Sequence, residues 1–314
     1  MSRIAFLFPG QGSQYVGMGE DLLNSYEFAP RLFEEAEAAT GLDIKELCTK
    51  GPMDELTRTI NLQPCLTTVD ILCAMALMDE GVKPDMVAGH SLGEYPALWA
   101  CDVLDFSSCL KLVKERGQLM EEAALERPGA MAAIIGVEAG ALDDLIKKVL
   151  DGRDGVLSTA NHNSREQIVV TGHRELVDVL CGEVKKLGKK AIMLKVSGGY
   201  HSSLMDEAAA RFKVLLTGTD FHDPTVPLYS NVSAEPETDR ESILNLMIEQ
   251  MRKPVRWYEI VNNMYRDGVR IFIETGPKKV LSNLVRKSID AKDVKVFNVE
   301  KSEDIKNLKR ELSF

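Results

Sequence analysis

The sequence predicts an α/β protein with a mainly parallel sheet and a small inserted unit of a different pattern. Short apolar segments alternate with amphipathic helical segments through most of the chain, which is typical of a parallel sheet covered by helices on both faces. From residue 128 the order becomes β-α-β-β-α-β, the order of a ferredoxin-like unit. We therefore expect a large domain formed by residues 1–127 and 197–314, with a ferredoxin-like subdomain, residues 128–196, inserted into it.

The first part of the large domain begins with a buried strand, RIAFLF (3–8), which the turn PGQGSQ ends. A mostly helical region follows, and its clearest member is TTVDILCAMALMDEG (67–81), whose apolar residues lie on one helical face. DMVAGH (85–90) predicts a second buried strand and EYPALWA (94–100) the next helix. DFSSCLKLVKERGQLMEEAALE (105–126) predicts a long amphipathic helix.

The inserted unit and the rest of the large domain continue this alternation. In the insert we predict strands at AMAAIIGV (130–137), VLSTANHN (156–163), QIVVTG (167–172) and KKAIMLKVS (189–197), with helices at EAGALDDLIKKVL (138–150) and HRELVDVLCGEVKKLG (173–188). After it we predict a helix over 202–217, a strand at VPLYSN (226–231), two helices up to Asp267, and strands at RIFIET (270–275) and VKVFNV (294–299).

The composition restricts the functions that the chain could have. Of 314 residues, 45% are hydrophobic and 27% charged, and the net charge is −10, which argues against a general affinity for nucleic acid or for anionic membranes. The six cysteines form no CxxC pair and the five histidines no metal spacing, so we expect buried thiols, no metal and no cofactor. The N-terminal residues do not resemble a signal peptide, and no stretch approaches the roughly 18 apolar residues of a membrane span. We expect a cytoplasmic monomer.

Gly89-His90-Ser91-Leu92-Gly93 fits the pattern G-x-S-x-G between a predicted strand and a predicted helix. In such an elbow the serine lies on a strained turn, and the helix N-terminus stabilises an anion. We therefore expect an α/β-hydrolase-like large domain with Ser91 as its nucleophile. The alternative is an ordinary N-cap serine, since serine is common at that position.

A serine nucleophile needs a base, and histidine is the usual one. His90 is a poor candidate, because successive side chains in an extended segment point to opposite faces. His201 is favoured, because it follows Gly198 and Gly199 in a turn that precedes a predicted helix. The residues alone leave three other histidines as candidates: His162, His173 and His222.

The whole chain resembles the malonyl-CoA:acyl carrier protein transacylases, the stand-alone acyltransferases of fatty-acid synthesis. The matching segments occur in the family's order and are FPGQGSQYVGMG, QPCLTTVDI, GHSLGEY, LVKERGQLM, GAMAAIIG, NHNSREQIVVTG, YHSSLM, VPLYSNV, PVRW and ETGPKKVLSNLVRK. Ten such segments in one order are far more specific than the pentapeptide alone.

The resemblance implies a role for each matching residue. Ser91 matches the nucleophile and His201 the general base, which a backbone carbonyl near Gln250 orients in place of an acidic residue. The backbone N–H groups of Gln11 and Leu92 match the oxyanion hole.

Three further side chains match groups that bind the substrate. Arg116 matches the arginine that pairs with the malonate carboxylate, a role that its planar guanidinium suits, although a solvated helix position is the alternative. Asn161 and Asn163 match side chains that the small subdomain contributes to the cleft. The segment PGQGSQ lacks the complete pattern of a P-loop or of a dinucleotide-binding loop.

The resemblance implies that malonyl-CoA and acyl carrier protein are the substrates of a ping-pong reaction. Carrier proteins are acidic, so docking needs local positive charge. Two groups of basic residues are candidates, although each could simply be a solvated face. We name Lys185, Lys186, Lys189 and Lys190 the first basic cluster, and Lys278, Lys279, Arg286 and Lys287 the second basic cluster.

Three other functions remain open from the sequence. A trans-acting acyltransferase of a polyketide synthase would use the same chemistry. An acyl-editing serine hydrolase shares G-x-S-x-G, but a neutral acyl chain would give Arg116 no partner. A non-catalytic carrier-binding module is disfavoured by the Ser91 and His201 pair.

The sequence departs from the family's pattern at three positions. Pro96 replaces a small residue about one turn into the elbow helix, where we expect it to remove a backbone donor and bend the helix. Tyr200 is bulky, which accompanies malonyl rather than branched acyl units in the family. GPKK (276–279) replaces Gly-Pro-Gly, a change expected to affect only a loop.

Overall fold

The computed structural model describes residues 2–196 and 198–312, so that Met1, residues 313–314 and Ser197, the last residue of one predicted strand, lie outside the described residues. The strands are β1 (Arg3–Phe8), β2 (Met86–Gly89), β3 (Ala130–Ile135), β4 (Leu157–Ser164), β5 (Gln167–Gly172), β6 (Lys190–Met193), β7 (Leu228–Tyr229), β8 (Pro236–Glu237), β9 (Val269–Thr275) and β10 (Lys295–Val299). The helices are α1 (Glu20–Ser25), α2 (Ala29–Thr40), α3 (Ile44–Thr49), α4 (Met53–Thr57), α5 (Thr59–Asp79), α6 (Glu94–Ala100), α7 (Phe106–Glu126), α8 (Ala139–Leu150), α9 (Arg174–Lys186), α10 (Asp206–Thr217), α11 (Arg240–Glu249), α12 (Trp257–Arg266), α13 (Val280–Ser288) and α14 (Ser302–Leu312).

The larger sheet has the strand order β10-β9-β1-β2-β7-β8. Its neighbouring strands pair in parallel from β10 through to β7, and β8 pairs antiparallel with β7. The expected mixed α/β class with a mainly parallel sheet is therefore confirmed. Strand β2 lies beside β1 near the middle of this sheet. The turn that follows β2 lies at its carboxyl end, and therefore at the carboxyl edge of the parallel strands.

Both faces of the larger sheet are covered, as the alternation along β1 requires. Phe6 and Phe8 belong to one core cluster with residues of α5 and α7, whereas Ala5 and Leu7 belong to a second cluster with residues of α12 and α13. All four side chains are fully buried. Packing on both faces of the sheet therefore fixes the position of β1, the strand beside β2.

Helix α5 is long and apolar enough to cross a membrane when judged by length and composition alone, contrary to our expectation for this sequence. However, 83% of its most apolar segment is buried inside the protein, where it contacts α7, α2 and α3. The helix is apolar on all sides because neighbours cover it on all sides.

The smaller sheet is antiparallel and has the strand order β4-β5-β3-β6. Its elements follow the predicted order β-α-β-β-α-β, with α8 and α9 between the strands. Strand β4 also contacts the rest of the chain: Val255 N–H donates to the Ala160 carbonyl at 2.8 Å, and His162 N–H donates to the Val255 carbonyl at 2.9 Å. This pairing fixes one end of the smaller sheet against the site.

Several predicted elements differ from the structure. Strand β6 covers four residues of the predicted 189–197, and β7 covers two of the predicted 226–231. The reason is that a segment joins a sheet only where a neighbouring strand pairs with it, and the pairing of β6 with β3 and of β7 with β2 spans only these short stretches. Helices α13 and α14 and strand β8 were not predicted.

The position of Pro96 in the elbow helix limits the effect that we expected from it. Helix α6 begins at Glu94, so Pro96 is its third residue. A backbone N–H in the first turn of a helix has no intrahelical acceptor to lose, and proline is therefore tolerated there.

Candidate active site

The elbow turn places Ser91 where β2 ends and one turn of 3₁₀ helix, Ser91–Gly93, leads into α6. Ser91 has φ 54°, a left-handed conformation that costs a residue other than glycine on the order of 1–3 kcal/mol. The backbone passes very close to other backbone segments on both sides of the serine. A Cβ on Gly89 would lie 1.9 Å from the Gly93 carbonyl, and one on Gly93 would lie 2.0 Å from the Phe8 carbonyl oxygen. The two glycines are therefore a steric requirement of this turn.

His201 is the histidine that the structure brings to Ser91. Its Nε2 lies 2.8 Å from Ser91 Oγ, and its Nδ1 lies 3.0 Å from the carbonyl oxygens of both Gln250 and Lys253. A carbonyl oxygen only accepts hydrogen bonds, so Nδ1 must carry the proton and Nε2 must hold the free lone pair. This tautomer is the one that can accept the serine proton. His201 also has a left-handed backbone, with φ 58°.

Burial and the positive charge of Arg116 lower the pKa of His201 to about 3, in that order of importance. The imidazole is 4% exposed and is hydrogen-bonded to carbonyl groups rather than to a carboxylate. At neutral pH the ring is therefore uncharged and available as a proton acceptor.

Arg116 is a buried cation, 1% exposed, on the face of α7 that lines the site. It donates from Nη2 to Ser91 Oγ at 3.2 Å, from Nη1 to Gln63 Oε1 at 3.0 Å, and from Nη2 to Gln250 Oε1 at 3.0 Å. These three acceptors are neutral. Desolvation lowers the pKa of the guanidinium, because burial disfavours its charged form. An anionic group that bound beside Arg116 would offset this cost of burying the charge.

Three polar residues that the sequence analysis did not select also hold the site. Gln63 accepts from Arg116, Asn231 Oδ1 accepts from the Ser91 backbone N–H at 2.7 Å, and Glu94 accepts from the side chain of Gln250 at 3.1 Å. Each lies within a segment that carried the family resemblance, namely QPCLTTVDI, VPLYSNV and GHSLGEY. The position of these three residues in those segments was the one signal in the sequence that could have identified them.

A cavity of about 190 Å³ lies over Ser91. Its lining includes the expected residues Gln11, Leu92, Asn161 and Asn163, and a Cβ on Gly10 would lie 3.7 Å from the Leu92 backbone nitrogen, so the loop before Gln11 meets the elbow. The remaining lining residues are Gly10, His90, Ser91, Arg116, Met120, Met131, Gln167, Val169, Leu194, Val196, Tyr200, His201, Val280, Leu281 and Leu284.

The other histidines lie away from Ser91 Oγ or face other groups. His90 Nε2 lies 2.8 Å from Asn163 Oδ1, and burial lowers the pKa of this ring. The His162 ring packs against Tyr258 in a tilted arrangement, and His173 Nδ1 accepts from the backbone N–H of Val156. His222 is exposed near Asp220.

Both basic clusters are exposed. In the second basic cluster, Lys278 Nζ donates to the Gly12 carbonyl at 3.0 Å. Helix α13, which carries Arg286 and Lys287 of this cluster, contributes three residues to the cavity wall. In the first basic cluster, Lys186 pairs with Glu183. The six cysteines of the chain are buried thiols.

Comparison with known proteins identifies the family. The acyl transferase domain family matches residues 5–311. The malonyl CoA-acyl carrier protein transacylase of Bacillus subtilis (strain 168) is 44% identical over 288 residues, covering 91% of this chain and 90% of that protein. The enzyme of the same name from Escherichia coli (strain K12) is 40% identical over 300 residues, covering 95% and 96%.

Solved structures agree with this assignment. The malonyl CoA-acyl carrier protein transacylase of Coxiella burnetii superposes with a TM-score of 0.95 at 34% identity, covering 100% of this chain and 98% of that one. A malonyl-transacylase solved in complex with a type II polyketide synthase acyl-carrier protein superposes at 0.94 and 35% identity, covering 99% and 100%. The chain belongs to the acyl transferase domain family, within which it is a member of the malonyl CoA-acyl carrier protein transacylases.

Proposed function

We propose that the protein transfers the malonyl group from malonyl-CoA to the phosphopantetheine thiol of acyl carrier protein. The observation that carries this proposal is the arrangement of Arg116, whose buried guanidinium donates to the same Ser91 Oγ that lies 2.8 Å from His201 Nε2. A nucleophile next to a buried cation whose hydrogen-bond acceptors are all neutral suits an acyl group that bears a carboxylate. The names of the relatives support the same substrates.

In the first half-reaction, Ser91 Oγ attacks the thioester carbonyl carbon while His201 Nε2 takes the serine proton. The backbone N–H groups of Gln11 and Leu92 stabilise the oxyanion. The C–S bond then breaks, CoA leaves as a thiol with the proton from His201, and the malonyl group remains as a serine ester. Arg116 pairs with its free carboxylate, and Asn161 and Asn163 line the cleft.

In the second half-reaction, the thiol of the carrier protein gives its proton to His201 Nε2 and attacks the ester carbonyl. The C–O bond breaks and Ser91 Oγ recovers a proton from His201. The hydrogen bonds from His201 Nδ1 to the carbonyls of Gln250 and Lys253 keep Nε2 directed at the serine in both halves.

The proposal is tested by weighing the intact protein after incubation with malonyl-CoA. We expect a malonyl adduct that acyl carrier protein removes and that Ser91→Ala lacks. With Arg116→Ala, malonyl loading should fall while acetyl loading from acetyl-CoA rises relative to it. Rapid release of free malonate in place of a stable adduct would instead identify the acyl-editing serine hydrolase considered from the sequence.

A second candidate is a trans-acting acyltransferase of a polyketide synthase. It is favoured by the similarity to the malonyl-transacylase that was solved with a type II polyketide synthase acyl-carrier protein. The chemistry at Ser91 would be identical, so the two candidates differ in the carrier protein. Transfer rates to carrier proteins of both pathways, measured with the same malonyl-loaded protein, distinguish them.

For carrier docking, we propose the first and second basic clusters, because a carrier with acidic residues would meet exposed cations there despite the net charge of −10. The contact of Lys278 with Gly12, next to the oxyanion loop, supports the second basic cluster. Reversing the charges of both clusters should raise KM for carrier protein and leave malonyl loading of Ser91 unchanged. An unchanged KM would contradict this docking surface.

At the level of the whole chain, we propose a large α/β-hydrolase-like domain, residues 1–127 and 197–314, and a ferredoxin-like subdomain, residues 128–196. The strand-turn-helix arrangement at Ser91 supports the first description, and the antiparallel order β4-β5-β3-β6 supports the second. We further propose a cytoplasmic monomer, which is consistent with water-soluble substrates and is tested by light scattering and by cell fractionation.

A further inference from the structure

Glu94 is a carboxylate buried at the start of the elbow helix. It is the first residue of α6 and is 0% exposed. Its Oε1 accepts from the Asn231 backbone N–H at 2.9 Å, and its Oε2 accepts from Gln250 Nε2 at 3.1 Å. Hydrogen-bond donors lower the cost of burying a carboxyl group, and the two donors named here belong to residues that contact Ser91.

The first of these residues, Gln250, has a side-chain amide that donates hydrogen bonds from its NH₂ group on one side and accepts them at its oxygen on the other. Its Nε2 donates to Glu94 Oε2 and to the Ser91 carbonyl at 2.7 Å, while its Oε1 accepts from Arg116 Nε at 3.3 Å and Nη2 at 3.0 Å. Turning the amide over would place Oε1 against two acceptors and the NH₂ group against the guanidinium. Because Glu94 Oε2 and the Ser91 carbonyl both accept from Nε2, the observed orientation is the one that satisfies all of these partners.

The second residue, Asn231, holds the other side of the elbow. Its backbone N–H donates to Glu94, its Oδ1 accepts from the Ser91 N–H at 2.7 Å, and its Nδ2 donates to the Gly89 carbonyl at 2.6 Å. Glu94 is therefore linked, through one residue on each side, to both the N–H and the C=O of a serine held in a left-handed conformation. Through these hydrogen bonds, Glu94 connects the elbow at Ser91 to Arg116, the residue proposed to bind the substrate carboxylate.

We propose that Glu94 is a positioning residue for substrate selection: through the Gln250 amide it holds the Arg116 guanidinium in the orientation that receives a carboxylated acyl group. It hydrogen-bonds to Gln250 and Asn231 rather than to Arg116, which leaves the guanidinium available to the substrate. This inference rests on the proposed malonyl transfer and adds the residue that sets its selectivity.

Glu94→Gln tests the proposal, because it keeps the shape of the side chain but replaces one acceptor oxygen with a donor. The Asn231 backbone N–H cannot turn round, so we expect the new carbonyl oxygen to face it and the new NH₂ group to face Gln250. Gln250 must then reverse or lose this hydrogen bond, and either change weakens its support of Arg116. We expect kcat/KM for Ser91 acylation by malonyl-CoA to fall at least about tenfold, mainly through KM, and that for acetyl-CoA to fall less than about threefold.

Glu274→Gln is the matched control. Glu274 is also 0% exposed and accepts two backbone N–H groups, from Leu281 at 2.9 Å and Ser282 at 2.7 Å, but its hydrogen bonds do not reach Ser91, Gln250 or Arg116. Loss of that carboxylate should lower stability and keep the malonyl-to-acetyl ratio of kcat/KM within about twofold of wild type.

One result with Glu94→Gln would overturn the proposal: an unchanged malonyl-to-acetyl ratio of kcat/KM, whether neither value falls or both fall equally, because equal losses indicate a purely structural role. If Glu94→Gln does not fold, Glu94→Asp serves instead, since it keeps a carboxyl group but withdraws it from Gln250. An unchanged ratio in that variant also contradicts the proposal. If the wild-type protein itself forms no malonyl adduct, the proposed malonyl transfer is wrong. If the wild-type protein forms the adduct and the ratio in Glu94→Gln is unchanged, only the role of Glu94 is wrong.

Discussion

At the scale of single residues, the site depends on the electrostatic relation between Arg116 and His201. The guanidinium is buried beside the nucleophile, and its charge is the second cause, after burial, that lowers the pKa of His201. A substrate carboxylate paired with Arg116 would offset that charge. We infer that binding of a malonyl group makes His201 a stronger base than it is in the free protein.

Arg116→Ala should therefore raise the pKa of His201, because one of the causes that lower it is removed. Since a base is active above its pKa, the acidic limb of the rate of acetyl loading from acetyl-CoA should move to higher pH in this variant. Arg116→Lys, which keeps a positive charge, should leave the limb near its wild-type position while still weakening malonyl binding. Coincident limbs in Arg116→Ala and wild type would show that the charge does not act on His201.

At the scale of elements, the elbow depends on the distance between β1 and the turn after β2. The Gly93 position is in contact with the backbone of Phe8, where a Cβ would lie 2.0 Å from the carbonyl oxygen. The sequence predicted the strand, the turn and the helix, together with the need for glycines. The sequence could not predict that β1 is the segment in contact with Gly93. Strand β1 lies far earlier in the chain and meets Gly93 only because β1 and β2 pair.

We expect Gly93→Ala to destabilise the protein by at least about 2 kcal/mol, because a methyl group must displace the backbone of β1 or of the elbow. Gly182→Ala is the control: Gly182 lies within α9 with open space at its Cβ position, so alanine should stabilise the protein by about 0.5–1 kcal/mol. Urea denaturation of both variants measures these differences. A Gly93→Ala variant as stable as wild type would show that the turn can relax.

At the scale of the whole molecule, burial of the catalytic pair links function to acid stability. A histidine has an ordinary pKa of 6.5, whereas burial and Arg116 lower that of His201 to about 3 in the folded protein. Between these values the unfolded chain binds the proton and the folded chain does not. The contribution of His201 to stability is therefore complete above pH 6.5 and is lost progressively as the pH falls toward 3.

His201→Gln should remove this dependence. Relative to wild type, the variant should gain about 2 kcal/mol in free energy of unfolding between about pH 7 and pH 5, since each pKa unit corresponds to about 1.4 kcal/mol. Other buried acids, such as Glu94, whose pKa burial raises to about 7, contribute to both proteins and largely cancel in the difference. Denaturation curves at several pH values provide the comparison, and a constant difference would mean that His201 is not held neutral by the fold.

Local patterns in the sequence determined most of the order of the strands and helices, the α/β class, the elbow at Ser91 and the small β-α-β-β-α-β unit. They could do so because side-chain periodicity and turn geometry depend on neighbouring residues. The lengths of β6 and β7 could not be obtained in this way, since strand pairing depends on distant partners. Helices α13 and α14 have an amphipathic pattern of their own, which our sequence analysis did not select.

Tertiary structure alone decided which polar atoms meet in the site. Gln250 is 134 residues from Arg116 and 159 from Ser91, and no local pattern indicates that its amide lies between them. The same holds for Glu94, which sequence reasoning passed over within GHSLGEY. A hydrogen bond requires distances and angles that only the folded backbone supplies, and for this reason the sequence identified the nucleophile while the structure identified the residues that hold it.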